Sequence, residues 1–481
     1  MRRAARAALV AQLGLAAQLA ATAQAQSFGG DLNEQLLTQQ NGRTCLDQGQ
    51  PAPQRIAACT LVIDKAGLPR SEVAKVYLAR AWAYEQHGDA SSALLDFETA
   101  AKKDSSSSRP WIGLGNFYAS KSDYPHALEN YDRALKIDHK DPGIYDNRGA
   151  ALEALGRHDE AIADFGHAIA LDPRDTLAYA NRATLYLSAN RPDAAIADLN
   201  QVVQLEPTNA RAFFDRGTAY ERSSEPDKAL EDYRSAVRLR PSYAQAYAAL
   251  GRLLAAKDPE AAIKELSSAI RLDPKSPALR KRAVLYLSLN QTVRALDDFN
   301  QVIANDSSDS TAFVDRAVAK AKLADFDGAI RDCTRAIQIA PSAAAYVDRG
   351  NAHAHLHHDE EALADFDAAL QLDAGSVPAL LGRANANYER KRFAASLDDY
   401  SRVIQADPAN AAIAYFKRGN IHLDQREFSA AFSDYSDSLK LNPDQAVVLF
   451  NRSLAAEHLR RAEDAASDRR RALELDPSLK R

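Results

Sequence analysis

A tripeptide of the form Leu-Asp-Pro, with Glu or Asn sometimes in the middle, returns along this chain at a nearly fixed interval. It is legible at Leu171-Asp172-Pro173, Leu205-Glu206-Pro207, Leu272-Asp273-Pro274, Leu441-Asn442-Pro443 and Leu475-Asp476-Pro477, with a period of 33 to 35 residues. Within each period the chain reads aromatic-x-x-Arg-small, then a turn that often carries Gly or Asn (Gly88, Gly156, Asn190), then small-x-x-x-aromatic. Two helix-length stretches separated by a turn and closed by proline spell a helical hairpin. One such hairpin cannot bury its own apolar face, so a tandem array is required in which each unit covers the next. The chain, 46% hydrophobic and 26% charged, holds enough apolar material for a large core. It has abundant alanine and no run of β-branched residues alternating with polar ones, which points to helices.

These residues resemble the tetratricopeptide repeat family, whose 34-residue unit carries small and aromatic residues in a fixed order and ends in proline. The stretch from Thr176 to Pro207 shows Tyr179, Ala183, Tyr186, Ala195, Leu199, Val202 and Pro207 in that order. The fit recurs from about Ser71 to Pro477, with one-residue length changes near Lys257, Pro277, Ser342 and Ala411. The resemblance implies an all-α, right-handed superhelical solenoid of stacked helix-turn-helix hairpins, twelve tandem units over 71–477. It also implies a partner-binding groove lined mainly by the first helix of each pair. Residues 26–70 are expected to form a polar lead-in and a degenerate capping helix from Gln54 to Lys65, and 478–481 a short tail.

The first 25 residues read as an export leader. Arg2, Arg3 and Arg6 precede an apolar stretch from Ala7 to Ala23, and Ala23-Gln24-Ala25 offers a small-x-small cleavage signal after Ala25. The stretch is interrupted by Gln12 and Gln18 and is short for a membrane anchor, so the expected product is a periplasmic protein without membrane insertion. Net charge is −5, and loss of the leader makes it more negative. That sign argues against nucleic acid as a partner. In an oxidising compartment Cys45 and Cys59 can close a short loop around Pro51-Ala52-Pro53, while Cys333 stands where other repeats carry Phe165, Tyr233 or Phe299 and reads as core.

Arginine recurs before the small residue of the first helix and aspartate in the second helix, as in Arg148 and Asp164, Arg182 and Asp198, Arg216 and Asp232, and Arg316 and Asp332. Both lie equally far from the intervening turn, so a folded hairpin brings them together as a structural ion pair. Where Leu114 replaces the arginine, Asn130 replaces the acid. His353, His355, His357 and His358 form a cluster, but their repeat positions at the inner face and the turn argue against a metal site, and none is assigned. Gly113-Leu114-Gly115 lies inside a helical pattern, and HExxH, paired CxxC and GxSxG are all missing. The chain is therefore expected to carry no catalytic machinery and no cofactor.

By analogy with the family, binding is expected in the groove. Asn351, Asn385 and Asn420 occupy equivalent first-helix sites in three consecutive repeats, with Asn116 matching them upstream. Asparagine donates and accepts, so such a row can grip an extended backbone. Val347, Leu381, Tyr388, Phe416, Leu423 and Phe450 are expected to form an apolar floor beside it. Lys417 stands where another Asn would be needed to clamp a terminal carboxylate, which removes that ligand class. The expected function is a scaffold or adaptor that binds extended or helical segments of other proteins. Two alternatives are a substrate-recruiting arm of a separately encoded enzyme complex and a cytoplasmic interaction protein. The oligomeric state is left open.

Overall fold

The protein is described by a computed structural model over residues 40–64 and 68–480. The leader expected over 1–25 and the first part of the lead-in lie outside the described residues. The chain divides into two units, Met1–Pro241 and Ser242–Arg481.

The first unit opens with α1 (Gln40–Leu46) and α2 (Ala52–Ile63). Five hairpins follow: α3–α4 (Arg70–His87, Ala90–Lys103), α5–α6 (Arg109–Ser120, Tyr124–Ile137), α7–α8 (Pro142–Ala154, His158–Leu171), α9–α10 (Thr176–Ser188, Pro192–Leu205) and α11–α12 (Ala210–Arg222, Pro226–Leu239). The second unit holds seven hairpins. They are α13–α14 (Ala244–Leu254, Pro259–Leu272), α15–α16 (Ala278–Ser288, Thr292–Asn305), α17–α18 (Ser310–Lys322, Phe326–Ile339), α19–α20 (Ala343–His355, Asp359–Leu372), α21–α22 (Val377–Glu389, Phe393–Ala406), α23–α24 (Ala412–Asp424, Phe428–Leu441) and α25–α26 (Ala446–His458, Ala462–Leu475). A 3₁₀ turn at Pro408–Asn410 takes up the length change near Ala411, and another at Pro477–Lys480 closes the described chain.

Local chemistry explains the boundaries. Asp175, Asn209 and Asp309 each cap a first helix by accepting two backbone N–H donors through the side chain. At the other end, eleven of the twelve hairpin turns contain a left-handed residue, glycine only at Gly88 and Gly156. At Asn190 that conformation lets its N–H reach Leu187 O at 3.1 Å and the Arg191 N–H reach Tyr186 O at 2.7 Å, satisfying two orphan carbonyls.

The hairpins pack through small residues set against aromatic rings. Phe366 of α20 is fully buried between Gly350 of α19 and Gly382 of α21. A β-carbon at Gly382 would stand 2.4 Å from the ring, so one aromatic side chain fixes the spacing both within a hairpin and to the next. Cys333 takes the aromatic position in α18 and is completely buried with Ala317, Ala329 and Ala352, and burial pushes its thiol up to about 12.

The leading pair departs from expectation. The capping helix begins at Ala52 rather than Gln54, because Pro53 is tolerated in a first turn, and α1 occupies part of what was read as polar lead-in. A Cys45–Cys59 disulfide joins the two, with Cα atoms 4.7 Å apart. Buried Arg55 donates from Nε to Cys45 O at 3.4 Å and from Nη2 to Ala79 O at 3.3 Å, docking the pair on α3.

Ten hairpins carry the Arg–Asp ion pair in a two-pronged geometry. In α9–α10 the Arg182 Nε donates to Asp198 Oδ2 at 2.8 Å and Nη2 to Oδ1 at 2.7 Å, and Arg148–Asp164, Arg216–Asp232 and Arg316–Asp332 repeat it within 0.1 Å. The aspartate is buried and the arginine largely so (side-chain exposure 6% and 19% for Asp198 and Arg182). The hydrogen bond to Asp198 holds the Arg182 guanidinium above its ordinary value. Breaking such a pair from one side strands a buried charge, at a cost of about 3–5 kcal/mol, whereas replacing both partners is far milder. Arg182→Leu and Asp198→Asn should each lower stability on that scale in chemical denaturation. The double variant, which copies Leu114 and Asn130, should recover most of the loss.

Candidate partner-binding face

First-helix residues three or four apart lie on one face. In α23 and α25 that face is apolar and open. Ile413 is 54% exposed and Val447 47%, and Phe416, Leu423 and Phe450 lie half-buried beside them against Tyr435, Val448 and Leu449. In α21, Leu381 and Tyr388 lie half-buried over a core that contains Leu380 and Tyr400. The Tyr388 hydroxyl donates to Asp424 at 2.9 Å, and burial together with that carboxylate pushes it up to about 12. Val347 belongs to the core itself at 6% exposure, a correction to its expected place on the floor, since it packs beneath α21 rather than beside solvent.

One member of the asparagine row, Asn116, is also corrected. Asn116 is buried and accepts from the Tyr131 hydroxyl at 2.8 Å. Asn385 accepts from Tyr400 at 2.6 Å, and Asn420 from Tyr435 at 2.9 Å and from Asn451 Nδ2 at 3.0 Å. In each hairpin the tyrosine stands fifteen residues after the asparagine, and its hydroxyl needs a partner on burial. Asn351 is exposed, and the residue fifteen on is Phe366, which has no hydroxyl to satisfy. Asn385→Ala should therefore cost about 1 kcal/mol or more by denaturation, because it leaves the Tyr400 hydroxyl without its acceptor. Asn351→Ala should be near neutral in the same assay.

The histidine cluster is local: His353 Nδ1 approaches His358 Nδ1 at 3.4 Å, and His355 stacks on Phe326 at 4.6 Å. Among the described residues no group of three His, Cys, Asp or Glu side chains is arranged to hold a metal. No described helix is long and apolar enough to cross a membrane.

Sequence reasoning passed over Ile413 and Val447, and also a run of acids on first helices of the first unit. Asp146 occupies the register of Leu381 and Phe416, two residues before the recurring arginine. Its Oδ1 is buried without a partner, and burial, then hydrogen bonding with Asp175 and the repulsion of Asp175, Asp141 and Asp172, push its carboxyl up to about 9. Burial likewise pushes Glu153 up to about 6. The folded state thus holds the Asp146 proton far above the ordinary 3.8, so this residue's contribution is present in acid and lost as pH rises toward about 9. Asp146→Asn should melt close to wild type near pH 4 and progressively above it as pH is raised, read by thermal denaturation across that range.

Tetratricopeptide repeat models match residues 78–142, 214–277, 347–411 and 416–479, with related models over 114–185 and 177–209. The chain belongs to the tetratricopeptide repeat family. Sperm-associated antigen 1 of Rattus norvegicus is 36% identical over 86 residues, 18% of this chain and 10% of that protein. Tetratricopeptide repeat protein 6 of Homo sapiens is 25% identical over 117 residues, 24% of this chain and 22% of that protein. The chain thus spans only a small part of the curated relatives it matches. Among solved structures, YrrB, a tetratricopeptide protein with an unusual peptide-binding site, shares 25% identity over 40% of this chain and 96% of its own, at a TM-score of 0.35. The Cut9–Hcn1 heterotetramer of APC/C aligns over 92% of this chain and 95% of its own at 13% identity and a TM-score of 0.41.

Proposed function

We propose that this tetratricopeptide repeat protein is a non-catalytic scaffold that binds partner polypeptides on its first-helix faces, with the α23 and α25 face as the main anchor. The observation that carries the reading is Ile413 and Val447 standing open, each three residues before a half-buried Phe416 or Phe450 on the same helix face of two neighbouring hairpins. YrrB, described as a peptide-binding member of the same family, fits a partner of this kind. Anchoring comes from burial of a partner's apolar side chains, while the exposed amide of Asn351 is available to a partner backbone. The leader over 1–25 and the Cys45–Cys59 disulfide support an exported, periplasmic setting, since disulfides persist in oxidising compartments.

Cross-linking in intact cells followed by mass spectrometry tests both parts, comparing wild type with Ile413→Asp/Val447→Asp. Both substitutions are at exposed sites, so the melting temperature should barely move. Discrete exported proteins captured by wild type and lost from the variant are the expected result, with the mature chain beginning at Gln26. Capture that is unchanged in the variant removes the anchor assignment, and an unprocessed N-terminus removes the export assignment.

A further inference from the structure

In the Arg–Asp hairpins the guanidinium sits in a recurring surround. In three of the ten, aromatic rings flank it from three residues before and four after: Arg182 lies 5.8 Å from the ring centroids of both Tyr179 and Tyr186, Arg80 lies 5.3 and 5.7 Å from Tyr77 and Tyr84, and Arg216 lies 5.4 and 5.8 Å from Phe213 and Tyr220. Nε and Nη2 bind the aspartate sixteen residues on. Nη1 frequently reaches an acceptor sixteen residues back, on the second helix of the preceding hairpin: Asp132 at 2.6 Å from Arg148, Asp367 at 2.5 Å from Arg383, Asn200 at 2.9 Å from Arg216.

In α5–α6 the arginine is gone, but its surround is not. Trp111 and Tyr118 stand three before and four after Leu114, Asn130 sixteen after, and Glu98 sixteen before. These residues line a cleft of about 530 Å³ between α4, α5 and α6. The corresponding clefts in α7–α8 and α21–α22, which hold Arg148 and Arg383, measure about 380 and 410 Å³. Asn130 Nδ2 donates to His126 O at 2.7 Å, leaving Oδ1 as an acceptor on the wall. Glu129 adds a second carboxylate where α8 has Ala163. Burial, then Glu98, Asp123 and Glu129, hold the Tyr118 phenol above its ordinary range. Lys102 lines the cleft too, its exposed ammonium 3.8 Å from Glu98 Oε2, so the two carboxylates there are matched by Lys102 and Arg133.

Arg133 also borders the cleft, with its guanidinium 5.0 Å from the Trp111 centroid. Its counterpart one hairpin on, His167, stacks on Tyr145 at 5.2 Å while Arg148 lies 5.9 Å from the same ring. The two positions are therefore occupied together there, a histidine and an arginine against one ring.

We infer that α5–α6 forms an open guanidinium seat that accepts an arginine side chain from a partner polypeptide. Two flanking π-faces with acceptors on opposite walls suit a planar fork better than a compact ammonium. The seat lies in the first unit and shares no residue with the α23 and α25 face, so this inference stands or falls independently of that anchor.

The chain contains two tryptophans, Trp82 and Trp111, so full-length protein labelled with 5-fluorotryptophan gives two fluorine resonances. The probe is a capped Gly-Ser-Gly-Arg-Gly-Ser-Gly peptide, with citrulline in place of arginine as its uncharged control. The arginine peptide should move the Trp111 resonance saturably and the citrulline peptide should not. Leu114→Arg/Asn130→Asp, which refills the seat, should abolish that shift while melting at or above wild type. A missing saturable shift, an equal response to citrulline, a shift that survives refilling, or one that appears only after Arg133→Ala would each overturn the inference.

Discussion

The Arg–Asp pair holds together the geometry on which the rest of the protein depends. Its worth is not chiefly energetic, since burying a carboxylate and a guanidinium costs about as much as their attraction returns. What it supplies is register. Two prongs fix the first helix against the second within a hairpin, and in several repeats the third nitrogen crosses to the preceding hairpin, as from Arg148 to Asp132. In a stack whose stability is a sum of hairpin terms and neighbour terms, one side chain thus enters both. Where an aromatic residue follows the aspartate, the same register delivers it onto small residues of the first helices, as Phe366 is delivered onto Gly350 and Gly382.

With register held from inside, the outward positions of the first helices are free to change chemistry. Asp146, Leu381 and Phe416 occupy one and the same site in their repeats. One is a carboxyl that burial keeps protonated, and the others are apolar surfaces that border a core. One site of the repeat can therefore hold a buried carboxyl in one place and an apolar surface in another, which is why the family alone does not name a ligand.

The sequence made the period, the turns and the ion pairs legible because each is encoded by short, regular spacing. In the asparagine row one residue type serves two ends. Fifteen residues before Tyr131, Tyr400 or Tyr435 it accepts a hydroxyl, which buries Asn116 but leaves Asn385 exposed, and fifteen before Phe366 it has no hydroxyl to accept. Ile413 and Val447 escaped notice because an apolar residue in a first helix reads as core unless its exposure is known. Leu114 and Asn130 were legible as a compensated exchange. That the exchange leaves a cleft depended on Glu98, which a neighbouring hairpin brings to the same place.

The leading pair shows what happens where this logic runs out. Among the described residues this pair has a neighbouring hairpin on one side only, so the interface available to it here is half of what stabilises the others. Here the seam between α1 and α2 is closed covalently, across fourteen residues of separation, and a link of that span stabilises by roughly 3 kcal/mol through restriction of the unfolded chain. Buried Arg55, its charge disfavoured by desolvation, spends its donors on backbone carbonyls of α1 and α3 instead of on an aspartate. The cap therefore depends on oxidation in a way the Arg–Asp hairpins do not. An exported chain meets the conditions that form the bond, whereas in a reducing compartment the same residues would leave the apolar end of the stack held only by Arg55 and a small core.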